Sequence, residues 1–129
     1  MGNRKRILVA DDDPDLLSLL EMVLLREGYE VVLAADGKDA LQKALADSFD
    51  VILLDVMMPY IDGYHVAYEV TNKLGAKSPQ IIIMTSRDTV REKGVALMSG
   101  AEELFQKPFD MAALRSRLAA IFANGKSDA

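Results

Sequence analysis

The sequence predicts an α/β fold in which a parallel sheet is covered by helices on both sides. Two observations carry that prediction. Short aliphatic runs alternate along the chain with longer stretches whose apolar residues recur every three or four positions, the spacing of one helix face. The runs Ile7-Leu8-Val9, Val51-Ile52-Leu53-Leu54 and Ile81-Ile82-Ile83-Met84 are apolar at every position rather than at alternate ones. Strands of that kind are buried on both faces, as in a parallel sheet sandwiched between helices.

Each element can be placed in turn. Arg6 to Ala10 reads as a strand stopped by Asp11-Asp12-Asp13-Pro14. Proline suits the first turn of a helix, and acids favour that end because of its dipole. A helix then runs to about Glu27, with Leu16, Leu17, Leu20, Val23 and Leu24 on one face and Gly28 as its stop. Glu30 to Ala34 is a strand, and Gly37 to Asp47 a helix with Ala40, Leu41, Ala44 and Leu45 inward. Val51 to Leu54 is the third strand, followed by a helix from Gly63 to Leu74 and a loop from Gly75 to Pro79. Gln80 to Met84 is the fourth strand, Thr89 to Ser99 a helix ended by Gly100, and Glu103 to Gln106 a weaker fifth strand. Asp110 caps a last helix that carries Leu114, Leu118, Ile121 and Phe122 at helical spacing. Five strands and five helices in strict alternation make an open, doubly wound sheet.

Composition narrows the class. At 129 residues the chain is one domain, and with 50% hydrophobic and 27% charged residues it is globular rather than disordered. Residues 1–124 are expected to form that domain, with 125–129 a flexible tail or the start of a linker. The absence of cysteine excludes disulfides and thiolate metal sites. A net charge of -5 argues against direct nucleic-acid binding. The aliphatic runs are far too short to span a membrane. The opening MGNRKR lacks the pattern of a signal peptide, and no downstream Ser or Thr makes Gly2 a myristoylation site. The expected location is the cytoplasm.

Sites in doubly wound sheets form beyond the carboxyl ends of the strands. There the sequence puts Asp11 and Asp12 after the first strand, Asp55 after the third, Thr85 after the fourth and Lys107 after the fifth. Clustered acids repel one another unless a cation joins them, and oxygen donors suit Mg²⁺. Each residue also has a plainer reading. Asp13 and Asp15 read as helix-start acids, and Asp11 and Asp12 could be the same but for Asp55. Thr85 and Ser86 could cap the next turn, and Lys107 could be a solvated lysine. His65, the one histidine, reads as a surface or half-buried residue rather than a base. The shared position at strand ends favours the functional reading.

The motifs ILVADDD, VILLDVMMPYIDGY, IIIMTS and QKPF, in that order, resemble the receiver domain of bacterial two-component response regulators over about Lys5 to Phe122. The resemblance to these chemotaxis-regulator-like domains implies a flavodoxin-like strand order, 2-1-3-4-5. It also implies a switch that takes a phosphoryl group from a histidine kinase or phosphotransfer protein onto Asp55. That reaction would need Mg²⁺ (or Mn²⁺ in its place), held by Asp11, Asp12, Asp55 and the main-chain carbonyl of Met57. Thr85 would follow the phosphoryl group, Lys107 would pair with it, and the Lys107-Pro108 bond would be cis. Phosphorylation would be self-catalysed, and so would its reversal. Output would pass through the fourth helix, fifth strand and fifth helix to a downstream protein, from a monomer or a weak phosphorylation-linked dimer.

Two alternatives stay open. The chain could be the receiver of a longer transcription factor or hybrid kinase. More distantly, it could be a Mg²⁺-dependent aspartyl phosphatase, although such enzymes carry an acid where Met57 stands. A nucleotide-binding reading fails because no Gly-rich loop follows the first strand.

One position departs from the family pattern: Leu104 stands where an aromatic residue usually swings inward on phosphorylation, and Phe105 beside it should face the other side of the sheet. A leucine supplies only part of that movement, so the two states should differ less in energy and phosphorylation should shift the population less sharply. Leu104→Tyr is therefore expected to enlarge the phosphorylation-dependent change in partner affinity or hydrogen exchange. A large change in the native chain that tyrosine does not increase would refute this.

Overall fold

The computed structural model describes residues 4–87 and 89–123; the expected tail, 125–129, lies outside them. The strands are β1 (Arg6–Ala10), β2 (Glu30–Ala34), β3 (Val51–Asp55), β4 (Gln80–Thr85) and β5 (Glu103–Gln106). The helices are α1 (Pro14–Arg26), α2 (Gly37–Ala46), α3 (Gly63–Leu74), α4 (Thr89–Met98) and α5 (Met111–Ala123). A single 3-10 turn, Gly75–Lys77, joins α3 to β4. All pairings are parallel and the order is β2-β1-β3-β4-β5, as expected for this fold class.

The strand side chains divide between two cores. Leu8, Ala10, Ile52, Leu54, Ile81 and Ile83 pack under α2, α3 and α4. Ile7, Val9, Val51, Leu53, Ile82 and Met84 pack under α1 and α5, through Leu17, Leu20, Leu24, Leu114, Leu118 and Ile121. This alternation is the period-two geometry of a strand with helices on both faces. It puts Leu104 against the first core and Phe105 against the second.

Two strands run one residue further than their aliphatic runs suggest. Asp55 pairs with Met84 and Thr85 with Gln106, so the ladder continues into the polar residues that end each strand. Helix α2 stops at Ala46, because Asp47 turns extended and its carboxylate meets Arg6 at 2.9 Å. Arg6 also binds Glu30 at 2.8 Å and donates its backbone N–H to Asp50, tying the strand starts together at the end of the sheet opposite the acids.

At the other end, three aspartates cap helices. Asp13 accepts from Asp15 N–H, Asp36 from Asp39 N–H and Asp62 from His65 N–H, satisfying donors that each helix start leaves open. The loop between β3 and α3 is clamped there by close backbone approach. Gly37 donates its N–H to the Pro59 carbonyl, and a Cβ on Gly37 would fall 1.7 Å from the Ile61 carbonyl oxygen. Gly63 donates to the Val56 carbonyl, and a Cβ there would lie 2.2 Å from the Asp55 carbonyl oxygen. Gly37→Ala should therefore cost roughly 1–3 kcal/mol or somewhat more, as forcing an atom into packed surroundings does. Urea unfolding measures it, and a loss under about 1 kcal/mol would mean the loop can give way.

Candidate functional site

The register brings the ends of β1, β3, β4 and β5 to one rim. Asp11 follows β1 and is fully buried, and its backbone N–H donates to the Ala34 carbonyl. Its Oδ1 accepts the Asp13 N–H at 2.9 Å and its Oδ2 accepts from Lys107 Nζ at 2.7 Å. Asp55 ends β3 at 5% exposure, with Oδ1 3.1 Å from the same ammonium. Asp12 is exposed beside them, and the three residues each offer a carboxylate oxygen within 4.8 Å of the others. Lys107 is aimed by its own backbone, whose N–H donates to the Thr85 carbonyl at 2.7 Å; the Lys107-Pro108 bond is cis. Thr85 is buried at the end of β4, and its Oγ1 accepts the Arg87 N–H at 2.9 Å.

Of the residues that the sequence placed at strand ends, Asp11, Asp12 and Asp55 cluster, Lys107 reaches Asp11 and Asp55, and Thr85 joins them through its backbone bond to Lys107, whereas the plainer readings hold elsewhere. Asp13 is a helix cap and Asp15 a first-turn acid. His65 is exposed on α3, 3.8 Å from Glu69 and away from the rim. Met57 lies two residues past Asp55 with its side chain half exposed. The sequence reading missed Arg87, Glu92 and Tyr64, which sit beside the rim in contact with one another. Their pairing crosses from α3 to α4, and no local spacing announces it.

The electrostatics follow from crowding. Three carboxylates face one ammonium, so with all four ionised two negative charges stay unbalanced. Burial first, and the Asp11 charge second, push the Asp55 carboxyl up to about 6 against the pull of Lys107. Burial alone lowers the Lys107 ammonium, but hydrogen bonds and charge from Asp11 and Asp55 outweigh it and hold it up. Oxygen donors carrying excess negative charge form a cluster that could hold a hard divalent cation. Beside the rim, an open groove of about 460 Å³ runs between α1 and the segment after Lys107, lined by Leu16, Leu19, Pro108, Phe109 and Met111.

Acids, a hydroxyl and an ammonium gathered at the carboxyl ends of the strands stand where doubly wound α/β domains bind their ligands. The family model of the response regulator receiver domain matches residues 7–119, and the chain belongs to that family, the signalling switches of two-component systems. Among curated relatives, the chain is 37% identical over 117 residues to the alkaline phosphatase synthesis transcriptional regulatory protein PhoP of Bacillus subtilis. The match covers 91% of this chain and 48% of that protein. It is 36% identical over 116 residues to the response regulator ArlR of Staphylococcus aureus, covering 90% of this chain and 52% of that one. The chain thus spans about half the length of the curated relatives it matches. Among solved structures, response regulator protein TrrA of Thermotoga maritima, in complex with Mg²⁺-BeF, is 35% identical. It has a TM-score of 0.80, with 91% of this chain and 98% of that one covered. A CheY-like receiver domain protein of Methanospirillum hungatei matches with a TM-score of 0.89 at 26% identity, covering 98% of this chain and all of that one. Among the described residues, no helix is long and apolar enough to cross a membrane.

The charge imbalance gives a pH-dependent prediction. Because the folded pKa of Asp55 is raised, protonation favours the folded state. That stabilisation is complete below the unfolded value near 4 and is lost as pH rises through about 6. Asp55→Asn should stabilise the metal-free protein by roughly 1–3 kcal/mol at pH 7.5, and the gain should shrink as pH falls from 6 to 4. Thermal unfolding in chelator across that range measures it. An undiminished gain at pH 4.5 would mean that the buried charge is not the cause.

Proposed function

We propose that the chain is a phosphoryl-accepting switch in which Asp55 takes the group from a phosphohistidine of a histidine kinase or phosphotransfer protein. The observation that carries this reading is the placement of Asp55: buried, 3.1 Å from Lys107, and grouped with Asp11 and Asp12. An Asp55 carboxylate oxygen bonds to phosphorus as the bond to the donor imidazole breaks, and that bond's electron pair leaves with the nitrogen. Above about pH 6 the carboxyl is ionised and can attack. Two anions must then approach each other, so neutralising charge is the main catalytic need. Lys107 supplies one positive charge, held in place by Asp11 and by the backbone bond to Thr85.

Asp11, Asp12 and Asp55, with the Met57 carbonyl, would hold Mg²⁺ (or Mn²⁺). When bound, the ion withdraws charge from the transferring phosphoryl oxygens and offsets the surplus acidity of the rim. Thr85 would donate a hydrogen bond from its hydroxyl to a phosphoryl oxygen of the product. The product is a mixed anhydride that water can cleave at the same site, so the signal limits itself. The open groove beside Lys107, with Leu19 and Pro108 exposed and Leu16, Phe109 and Met111 half-buried, offers apolar surface that a docking helix of the donor would cover.

The changed state is read by a downstream protein on the α4, β5 and α5 face, and the chain acts in the cytoplasm as a monomer or a weak phosphorylation-linked dimer. A second arrangement has one observation in its favour. Because the chain spans about half the length of PhoP and ArlR, it fits the receiver part of a longer regulator, with any nucleic-acid contact made outside these residues. The acidic net charge of -5 supports leaving such contact to another part.

Incubation with a small phosphodonor and Mg²⁺ should add one phosphoryl mass, abolished by Asp55→Asn or by chelation. Uptake that survives either change would refute Asp55 or the metal.

A further inference from the structure

The Thr85 hydroxyl is engaged by Arg87, whose N–H it accepts at 2.9 Å. From there the Arg87 side chain reaches in two directions. Its Nη2 lies 3.0 Å from Met57 Sδ, two residues past Asp55, and its Nη1 lies 3.7 Å from Glu92 Oε1 on α4. That same carboxylate oxygen accepts the Tyr64 hydroxyl from α3 at 2.6 Å. A short bond from a hydroxyl to a carboxylate is charge-assisted and stronger than a neutral one. The Glu92 side chain is only 17% exposed while that of Arg87 is 49% exposed, so the Tyr64 end of the chain is the better shielded from water. Burial and Glu92 push the Tyr64 phenol up, so it keeps its proton and goes on donating. Its ring packs against the core that also takes Ala96 and Leu104.

We propose that Tyr64 and Glu92 are positioning residues that set how readily Asp55 accepts a phosphoryl group, by holding Arg87 and with it the Thr85 hydroxyl. The inference rests on the phosphoryl-accepting reading of Asp55. For Thr85 Oγ1 to reach a phosphoryl oxygen, either it leaves the Arg87 amide or the segment from Thr85 to Arg87 moves with it. The first course removes the acceptor from the Arg87 N–H. The second pulls Arg87 from Glu92, or draws the first turn of α4 away from Tyr64. The first course forfeits the Arg87 amide bond, and the second is opposed by the Tyr64–Glu92 bond, so the hold on Arg87 favours the unmodified arrangement. A ligand shifts an equilibrium only by what it gains differentially, and weakening the hold leaves the phosphoryl group less to overcome.

A purely structural tie between α3 and α4 would act differently. The far end of the same helix pair has one of its own, where Thr71 Oγ1 lies 3.3 Å from the Ser99 carbonyl oxygen. It has no route to Thr85. Loosening it should disturb α4 without affecting the site.

The test compares the native chain with Tyr64→Phe, Glu92→Gln and Thr71→Val. Two quantities are read: exchange of the Arg87 amide in the unmodified, metal-free protein, and the rate of phosphoryl uptake from acetyl phosphate with Mg²⁺. Tyr64→Phe keeps the ring and removes only the hydroxyl. It should speed both by about threefold to tenfold, the range that one partly exposed hydrogen bond to a charged group supplies. Glu92→Gln should move both in the same direction, and Thr71→Val neither. Unchanged Arg87 exchange in Tyr64→Phe would overturn the proposal. So would faster exchange with unchanged uptake, or an equal effect from Thr71→Val. A native chain that takes up no phosphoryl group would overturn the phosphoryl-accepting reading, whereas the exchange measurement judges the Tyr64–Glu92 hold in either case.

Discussion

Three carboxylates crowd one ammonium at the rim, and the surrounding structure is arranged to keep them there. Left to themselves, Asp11, Asp12 and Asp55 would separate, because like charges in partly dehydrated surroundings repel strongly. What prevents it is the sheet. Asp11 is fixed by the bond to Ala34, Asp55 by its pairing with Met84, and Lys107 by the bond to Thr85. These are backbone constraints inside a ladder whose central strands, β1, β3 and β4, carry aliphatic side chains fully buried on both faces. The hydrophobic core therefore offsets an electrostatic cost that the site needs, as strain at functional positions generally must be offset elsewhere.

The two sheet faces share that work unequally. Helices α1 and α5 seat large aliphatic side chains, Leu17, Leu20, Leu24, Leu114, Leu118 and Ile121, into their core. Among its described side chains, α4 contributes only Ala96 to the buried apolar set, and Val90, Val95, Leu97 and Met98 are exposed. A helix that buries so little is held by few contacts and sits at the low end of local stability. It is also the helix that follows Thr85, so a sparsely anchored helix adjoins that hydroxyl.

The sequence made the sheet legible because doubly buried strands leave an unmistakable mark: Val51 to Leu54 and Ile81 to Met84 admit no polar residue. Once those strands were placed, their polar ends followed, and Asp11, Asp12, Asp55, Thr85 and Lys107 do converge. How Lys107 divides itself was not legible. It lies nearer Asp11 than Asp55, and side-chain reach across strands sets that difference. The Tyr64–Glu92–Arg87 chain was hidden for a related reason. Its members are ordinary helix and loop residues in the sequence, and 28 positions separate Tyr64 from Glu92. Likewise, nothing before folding shows that Gly37 must be small, since its obstacle is the carbonyl of Ile61.

That close approach divides the rim into two jaws of different character. The segment from Val56 to Asp62 is pinned by Gly37 and Gly63, by the Val56 bond to Met84, and by the tight turn in which Tyr60 takes a φ of 74°. Across the site, Ser86 and Arg87 are exposed and lead into the sparsely buried α4. One jaw is a fixed anvil and the other a lever. On the proposed reading of Asp55 as a phosphoryl acceptor, a protein that grips only the anvil would meet the same surface in both states and could not tell them apart. To report the state, a reader must touch the lever.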